Sequence, residues 1–154
     1  MTDDEGEATS IADLWIMGGA HFVCTPWQTL SHEQIAPFAG AVGGDPVVRL
    51  DPNRSEPMLV GGTIADGLVG LLLLAPICRQ LLPVRGAESQ ISYGFDRVRI
   101  PAPLPVGGEW RGRAEIVAVE ETEAGARISL LVWLEVKGSD KPTVVAECLI
   151  RVDG

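Results

Sequence analysis

The chain has 154 residues, of which 46% are hydrophobic and 21% charged, and this composition is typical of a globular domain, not of a disordered chain. Asp and Glu number 21 against 12 for Lys and Arg, giving a net charge of -9, and the basic residues form no cluster. This balance argues against nucleic acid and anionic membranes as partners.

The N-terminal residues are acidic and lack the basic start and apolar stretch of a signal peptide. We therefore expect a flexible acidic tail over residues 1–10, a single domain over residues 11–154 and a cytoplasmic location. The three cysteines, Cys24, Cys78 and Cys148, are widely spaced and show no metal-ligand motif. We expect neither a metal site nor a cofactor.

A first helix is predicted to start after Ser31. Ser31 followed by Gln34 is a capping-box pattern, and apolar residues such as Ile35 and Phe38 recur at helical spacing. The glycine pair at Gly43–Gly44 is predicted to end this helix after about three turns.

A loop and then a second helix are predicted to follow. Asp45–Met58 contains three prolines and should be mostly loop, with a short extended piece at Val47–Leu50. Loops often carry functional residues. Ile64–Leu82 is apolar almost all round, which predicts a fully buried helix that Pro76 should kink or divide.

The rest of the chain reads as strands joined by turns rich in Gly, Pro and Asp. Successive hairpins of this kind predict an antiparallel sheet. One buried helix followed by such strands predicts an α+β architecture in which the sheet wraps around a long central helix. The four predicted strands are Ser89–Ile100, Glu109–Glu120, Arg127–Lys137 and Thr143–Val152.

Four segments, taken together and in this order, resemble the MaoC-like hydratases, particularly their NodN-type dehydratase branch. The resemblance implies a hotdog fold, a dimer, and a site for an acyl thioester where two protomers meet. It also implies hydro-lyase activity on an acyl group carried by CoA or by a carrier protein. The segments are Trp27–Ala41, Leu50–Pro52, Gly62–Leu68 and Tyr93–Gly107.

The chain departs from this family at the catalytic positions. In such hydratases an Asp and a His add water across the double bond of an enoyl thioester, as general acid-base chemistry requires. When Phe38–Pro52 is laid over the family pattern without gaps, those positions hold Gly44 and Arg49. A further His position, just before the glycine that opens the central helix, holds Asp66. The resemblance therefore implies a non-standard active site.

Three residues are candidates for the altered chemistry. Asp45 lies one position beyond the family's Asp, so a small register shift would let it serve as the base. Arg49 stays protonated and cannot be a base, but it can bind a carboxylate or stabilise an enolate. Asp66 has three interpretations: a new catalytic group, a helix N-cap, or the ion-pair partner of Arg49 in a closed, retired site.

Three further residues are candidates for substrate binding. The amides of Gly67 and Leu68 at the start of the central helix can hold a thioester oxygen as its charge develops. The alternative for Gly67 is that it only permits close packing. Arg99 lies on the strand that faces the family's pocket, where it can contact a CoA phosphate or a polar acyl group, or belong to a solvated strand face.

Two other functions compete with the hydratase. The chain can be an inactive hotdog subunit that pairs with an active homologue or binds a ligand, so the partner is either a second copy or another hotdog subunit. A hotdog thioesterase is the third hypothesis, because that chemistry uses a carboxylate near the helix start. The Tyr93–Gly107 segment resembles hydratases more closely and ranks the thioesterase last.

Overall fold

A computed structural model of the chain describes residues 9, 10, 13, 23–43, 47–49 and 63–154. Within these residues, one long helix packs on one face of an antiparallel sheet, in agreement with the predicted α+β architecture. The helices are α1 (His32–Val42) and α2 (Gly67–Leu81). The strands are β1 (Thr9–Ser10), β2 (Val23–Cys24), β3 (Gln28–Thr29), β4 (Val47–Arg49), β5 (Thr63–Ala65), β6 (Val84–Arg85), β7 (Ser89–Arg99), β8 (Leu104–Pro105), β9 (Glu109–Thr122), β10 (Gly125–Val136) and β11 (Val144–Asp153).

The main sheet has the order β2-β9-β10-β11-β7, and β3 also pairs with β9. Its neighbouring strands are antiparallel throughout. Buried and partly exposed residues alternate along β10 and β11, as expected for a sheet with one face on a core. The inward side chains of β10, from Ile128 to Leu134, are almost inaccessible to solvent.

The order of strands corrects one prediction. The strand β7 does not form a hairpin with the next long strand, β9, and instead pairs with β11 at the opposite side of the sheet. The intervening segment contains β8, which pairs with β5 in a separate three-stranded sheet with β4. The chain is thereby carried across the molecule between β7 and β9, and only β9, β10 and β11 follow each other as hairpins.

The central helix α2 also differs from its prediction. The apolar run predicted a start at Ile64, but the helix begins at Gly67, where the family resemblance placed its start, because Thr63–Ala65 forms the strand β5. The apolar run gave no sign of this boundary, since a short apolar strand and a buried helix have the same composition. The helix continues through Pro76 to Leu81 as one element, so the proline does not divide it.

Only one face of α2 is buried, although the sequence predicted burial all round. Leu74 and Ile77 are buried, whereas 62% of Leu68 and 48% of Leu72 remain exposed. Helix and sheet approach closely, since a Cβ atom added to Gly70 would lie 2.8 Å from Val144 Cγ2. The core therefore covers one face of α2 and leaves apolar side chains on the other face exposed.

The short strand β1 lies at the end of the expected tail. Thr9 and Ser10 pair in parallel with Val84 and Arg85, while residues 1–8 lie outside the described part of the chain. Neither α1 nor α2 is long and apolar enough to span a membrane.

Candidate functional site

The start of α2 is capped by Asp66. One carboxylate oxygen of Asp66 accepts a hydrogen bond of 2.8 Å from the Leu68 N–H, and the Asp66 carbonyl accepts one of 2.9 Å from the Val69 N–H. This is the geometry of a helix N-cap, one of the three interpretations given to Asp66. The Leu68 amide, a candidate for holding substrate, is already engaged by this carboxylate.

Gly67 meets a close packing requirement and also presents an amide. A Cβ atom at Gly67 would lie 2.9 Å from Cδ1 of Ile100, so a larger residue would force Ile100 to move. No acceptor for the Gly67 N–H is found among the described residues. The first amides of a helix lack intrahelical partners and carry partial positive charge. Gly67 is thus suited to both of the roles considered for it.

The strand β4 lies beside the segment that leads into α2. Val47 is opposite Ala65 and Arg49 is opposite Thr63. The backbone of Arg49 therefore lies beside a residue that is three positions before Asp66 in the chain. The side chain of Arg49 lies outside the described residues, and so does Asp45. The ion pair between Arg49 and Asp66 and the role of Asp45 therefore remain predictions.

Arg99 lies next to the start of α2, because the following residue, Ile100, contacts Gly67. The Arg99 side chain is exposed, and its Nη1 donates a hydrogen bond of 2.8 Å to the carbonyl of Val98. Two residues earlier, Arg97 has a φ of 52°, the one positive φ outside glycine among the described residues. An arginine-bearing edge strand thus lies beside the helix start.

An apolar groove runs between α1 and α2. It has a volume of about 390 Å³ and follows one face of α2 from Val69 to Gln80, a length of about 16 Å at the rise of an α-helix. Sequence reasoning missed it because its walls come from four separate elements. The sequence feature that could have indicated the groove is the set of apolar residues at helical spacing along α2. Its lining residues are Gln28, Thr29, Leu30, Gln34, Ile35, Phe38, Val69, Leu72, Leu73, Pro76, Ile77, Gln80 and Trp110.

The opposite face of the sheet carries a second, polar cavity of about 420 Å³. Two arginines share one carboxylate there: Arg111 Nε and Arg113 Nε lie 2.8 and 3.1 Å from the oxygens of Glu135. This hydrogen bond raises the pKa of Arg111 above its ordinary value. The same guanidinium stacks on Trp27 at 4.7 Å. These contacts fasten the segment before α1 to the sheet and leave the apolar groove as the better candidate for an acyl group.

Two curated relatives match nearly the whole chain. The 3-hydroxyacyl-thioester dehydratase Z of Mycobacterium tuberculosis is 36% identical over 143 residues, covering 92% of this chain and 95% of that protein. Nodulation protein N of Rhizobium meliloti is 29% identical over 140 residues, covering 89% of this chain and 87% of that protein. No known family profile matches the chain.

Solved structures with low sequence identity share the fold. An (R)-hydratase from A. caviae aligns with a TM-score of 0.63 and 20% identity over 85% of this chain and 93% of its own. A MaoC-like dehydratase from Rhodospirillum rubrum aligns with a TM-score of 0.62 and 17% identity over 92% and 97%. The HadBC 3R-hydroxyacyl-ACP dehydratase complex of Mycobacterium tuberculosis gives 0.60 and 16% over 90% and 97%. These alignments confirm the predicted hotdog fold.

Proposed function

Because the chain belongs to the MaoC-like hydratase and dehydratase family of hotdog proteins, we propose that it is a hydro-lyase acting on an acyl thioester. It adds water to an enoyl thioester or removes water from a 3-hydroxyacyl thioester. The observation that carries this proposal is the 36% identity to a 3-hydroxyacyl-thioester dehydratase over almost the full length of both chains.

The groove supports an acyl substrate. It has the size of an ordinary small-molecule pocket, and most of its lining side chains are apolar. Its first residue on α2, Val69, is two positions after Gly67, so a thioester held at Gly67 can extend its acyl chain along the groove. Burying that chain against Leu72 would remove apolar surface of both from water, which is favourable.

The chemistry requires a place for negative charge. When water adds, a base removes one of its protons, its oxygen bonds to the β-carbon, electrons of the double bond move toward the thioester carbonyl, and the α-carbon then takes a proton. The developing charge on the carbonyl oxygen needs hydrogen-bond donors fixed in advance. The proposal places this oxygen on the Gly67 N–H. Leu68 N–H becomes a second donor if the Asp66 carboxylate turns away.

The base is assigned by sequence position. Asp45 is two residues before Val47, whose backbone pairs with Ala65 at the end of the strand that precedes α2. Two residues of chain reach at most about 7 Å, which keeps Asp45 near the helix start. Asp66 is committed to its cap, so it is the second choice for the base. Arg49, a residue of β4 that stays protonated, is proposed to stabilise the enolate.

The site is proposed to be completed by a partner subunit. The outer edge of β7 pairs with no other strand among the described residues, and Ile91 and Tyr93 on it are 50% and 61% exposed. A second copy of the chain, or another hotdog subunit, would cover these side chains. Light scattering of the purified protein distinguishes a homodimer from a monomer that awaits a different partner.

The activity is tested with crotonyl-CoA, a short enoyl thioester whose conjugated double bond absorbs ultraviolet light. The proposal predicts loss of this absorbance with the wild-type protein. Asp45→Asn should lower kcat at least about a hundredfold, as expected when a general base is removed. Asp140→Asn, in the exposed turn before β11, is the matched control and should keep wild-type activity.

Two results of this assay would contradict the hydro-lyase proposal. If neither crotonyl-CoA nor 3-hydroxybutyryl-CoA is converted by the chain with its physiological partner, the hydro-lyase proposal fails. Release of free CoA from the same substrates would instead identify a thioesterase.

A further inference from the structure

We infer that Arg97 and Arg99 bind a phosphate of the group that carries the acyl thioester, an inference that rests on the proposed function. Two carriers share this chemistry. One is CoA, with a phosphate on its pantetheine arm and further phosphates on its nucleotide. The other is the phosphopantetheine arm of a carrier protein.

The charges of Arg97 and Arg99 are not paired with a carboxylate among the described residues. Four of the eight arginines whose side chains the structure describes form an ion pair with a carboxylate, but no ion pair joins Arg97 or Arg99 to any described residue. Both are exposed, and Asp96 lies beside them in the chain. Two neighbouring arginines that have no carboxylate partner among the described residues, in a chain of net charge -9, are available for an anionic ligand.

Arg97 and Arg99 lie close to the proposed thioester site. Ile100 contacts Gly67, so Arg99 is one residue from the proposed thioester site. Arg97 is about 7 Å further along the strand, at the usual rise per residue. A thioester bound at Gly67 with its acyl chain in the groove must extend its pantetheine arm the other way, out of the site. Arg97 and Arg99 lie on the strand whose end adjoins Gly67 through Ile100, so they are proposed to lie beside this exit.

The strand β7 has an irregular conformation at Arg97. Val145 is opposite Arg99 and Glu147 is opposite Asp96, so β7 has one residue more than β11 between these pairs. This β-bulge contains Arg97, whose φ of 52° is costly for a residue with a side chain. Bulges and strained residues of this kind redirect side chains and are frequent at binding sites. A guanidinium redirected in this way can present two parallel donors to a phosphate.

The test uses three thioesters of the same crotonyl group, carried by CoA, by 4′-phosphopantetheine and by N-acetylcysteamine, which has no phosphate. Arg97→Ala and Arg99→Ala should each raise KM for the CoA thioester roughly tenfold, the loss expected for one charge-assisted hydrogen bond, with kcat little changed. The phosphate-free thioester should show no change in kcat/KM. Arg79→Ala is the matched control, since Arg79 is exposed and without an ion pair to the described residues, but lies in the last turn of α2.

The phosphopantetheine thioester distinguishes the two sources. If the variants raise KM for it as much as for the CoA thioester, the contact is to the pantetheine phosphate that both carriers share. If only the CoA thioester is affected, the contact is to the nucleotide phosphates. Equal losses with the phosphate-free thioester, or wild-type KM for the CoA thioester in both variants, would overturn the inference.

Calorimetric binding of CoA itself keeps this test separate from the proposed function. If the wild-type protein converts no thioester but binds CoA, and the two variants weaken that binding roughly tenfold while Arg79→Ala does not, the hydro-lyase proposal fails and the phosphate site stands. If CoA binding is the same in all four proteins, the phosphate site is wrong whatever the activity.

Discussion

The two faces of α2 are almost equally apolar in sequence and differ completely in their surroundings. On one face Leu74 and Cys78 are buried against the main sheet. On the other, Leu68 and Leu72 are half exposed or more, and Leu72 lines the groove beside α1. The fold buries the apolar side chains of the first face and leaves those of the second face partly exposed. Apolar residues that a fold leaves uncovered indicate a ligand or a partner.

The largest difference between the faces is expected in stability. Leu74→Ala should lower the free energy of unfolding by about 2–5 kcal/mol, because it leaves a cavity in a tightly packed core. Leu72→Ala should cost about 0.5 kcal/mol or less, because its side chain is half exposed. Urea unfolding of both variants measures this contrast. Similar losses for the two would mean that Leu72 is as important to the core as Leu74.

The buried face also predicts a dependence on pH. Cys78 on α2 and Cys148 on β11 are both buried, and the contact with Cys78, together with burial, raises the pKa of the Cys148 thiol. The pKa is higher in the folded than in the unfolded state, so this contribution to stability is complete below the unfolded pKa of about 8.5 and is lost as pH rises above it.

The expected loss is about 1.4 kcal/mol for each pH unit above that value. It is measured by urea unfolding between about pH 8 and 9.5, where the unfolded thiol ionises. Cys148→Ala should flatten the pH dependence even though it lowers stability overall. Cys24→Ala, which removes an exposed thiol instead, is the control. A slope that survives Cys148→Ala would assign the effect to other groups.

The N-cap at the start of α2 belongs to neither face. Its removal is expected to have a smaller effect on the free energy of unfolding. Asp66→Ala should lower the free energy of unfolding by about 1 kcal/mol through loss of the hydrogen bond to the Leu68 N–H. Asp66→Asn should retain most of it, because an amide oxygen also accepts this bond. Thermal unfolding of the two variants gives the comparison. Equal stability of Asp66→Ala and wild type would contradict the capping role.

Local patterns were sufficient for most of the fold. The capping box was predicted and is formed: the Ser31 N–H donates to Gln34 Oε1 at 2.8 Å, and the Gln34 N–H donates to Ser31 Oγ at 3.2 Å. The long strands begin and end within about two residues of their predicted bounds, because turn residues mark their ends. The strand order and the start of α2 depend on pairing between distant segments, which no local pattern contains.

The site was less predictable than the fold. Asp66 was given three interpretations because its sequence neighbours fit all of them, and only the hydrogen bond to Leu68 N–H identifies the cap. The groove could not be found from any one segment, since Trp110 and Phe38 reach it from elements far apart in the chain. The proposed roles of Asp45, Arg49, Gly67 and Arg99 still come from the family resemblance and the chemistry it requires.

The uncovered face of α2 is proposed to hold the acyl chain of a thioester. The most direct measurement is kcat/KM for enoyl-CoA substrates of increasing length, from crotonyl-CoA to dodecenoyl-CoA, with the wild-type protein and with Leu72→Gln. We expect kcat/KM to rise with chain length until the groove is filled, and we expect Leu72→Gln to remove this rise while sparing crotonyl-CoA. The same dependence on chain length in both proteins, or none in the wild type, would contradict it.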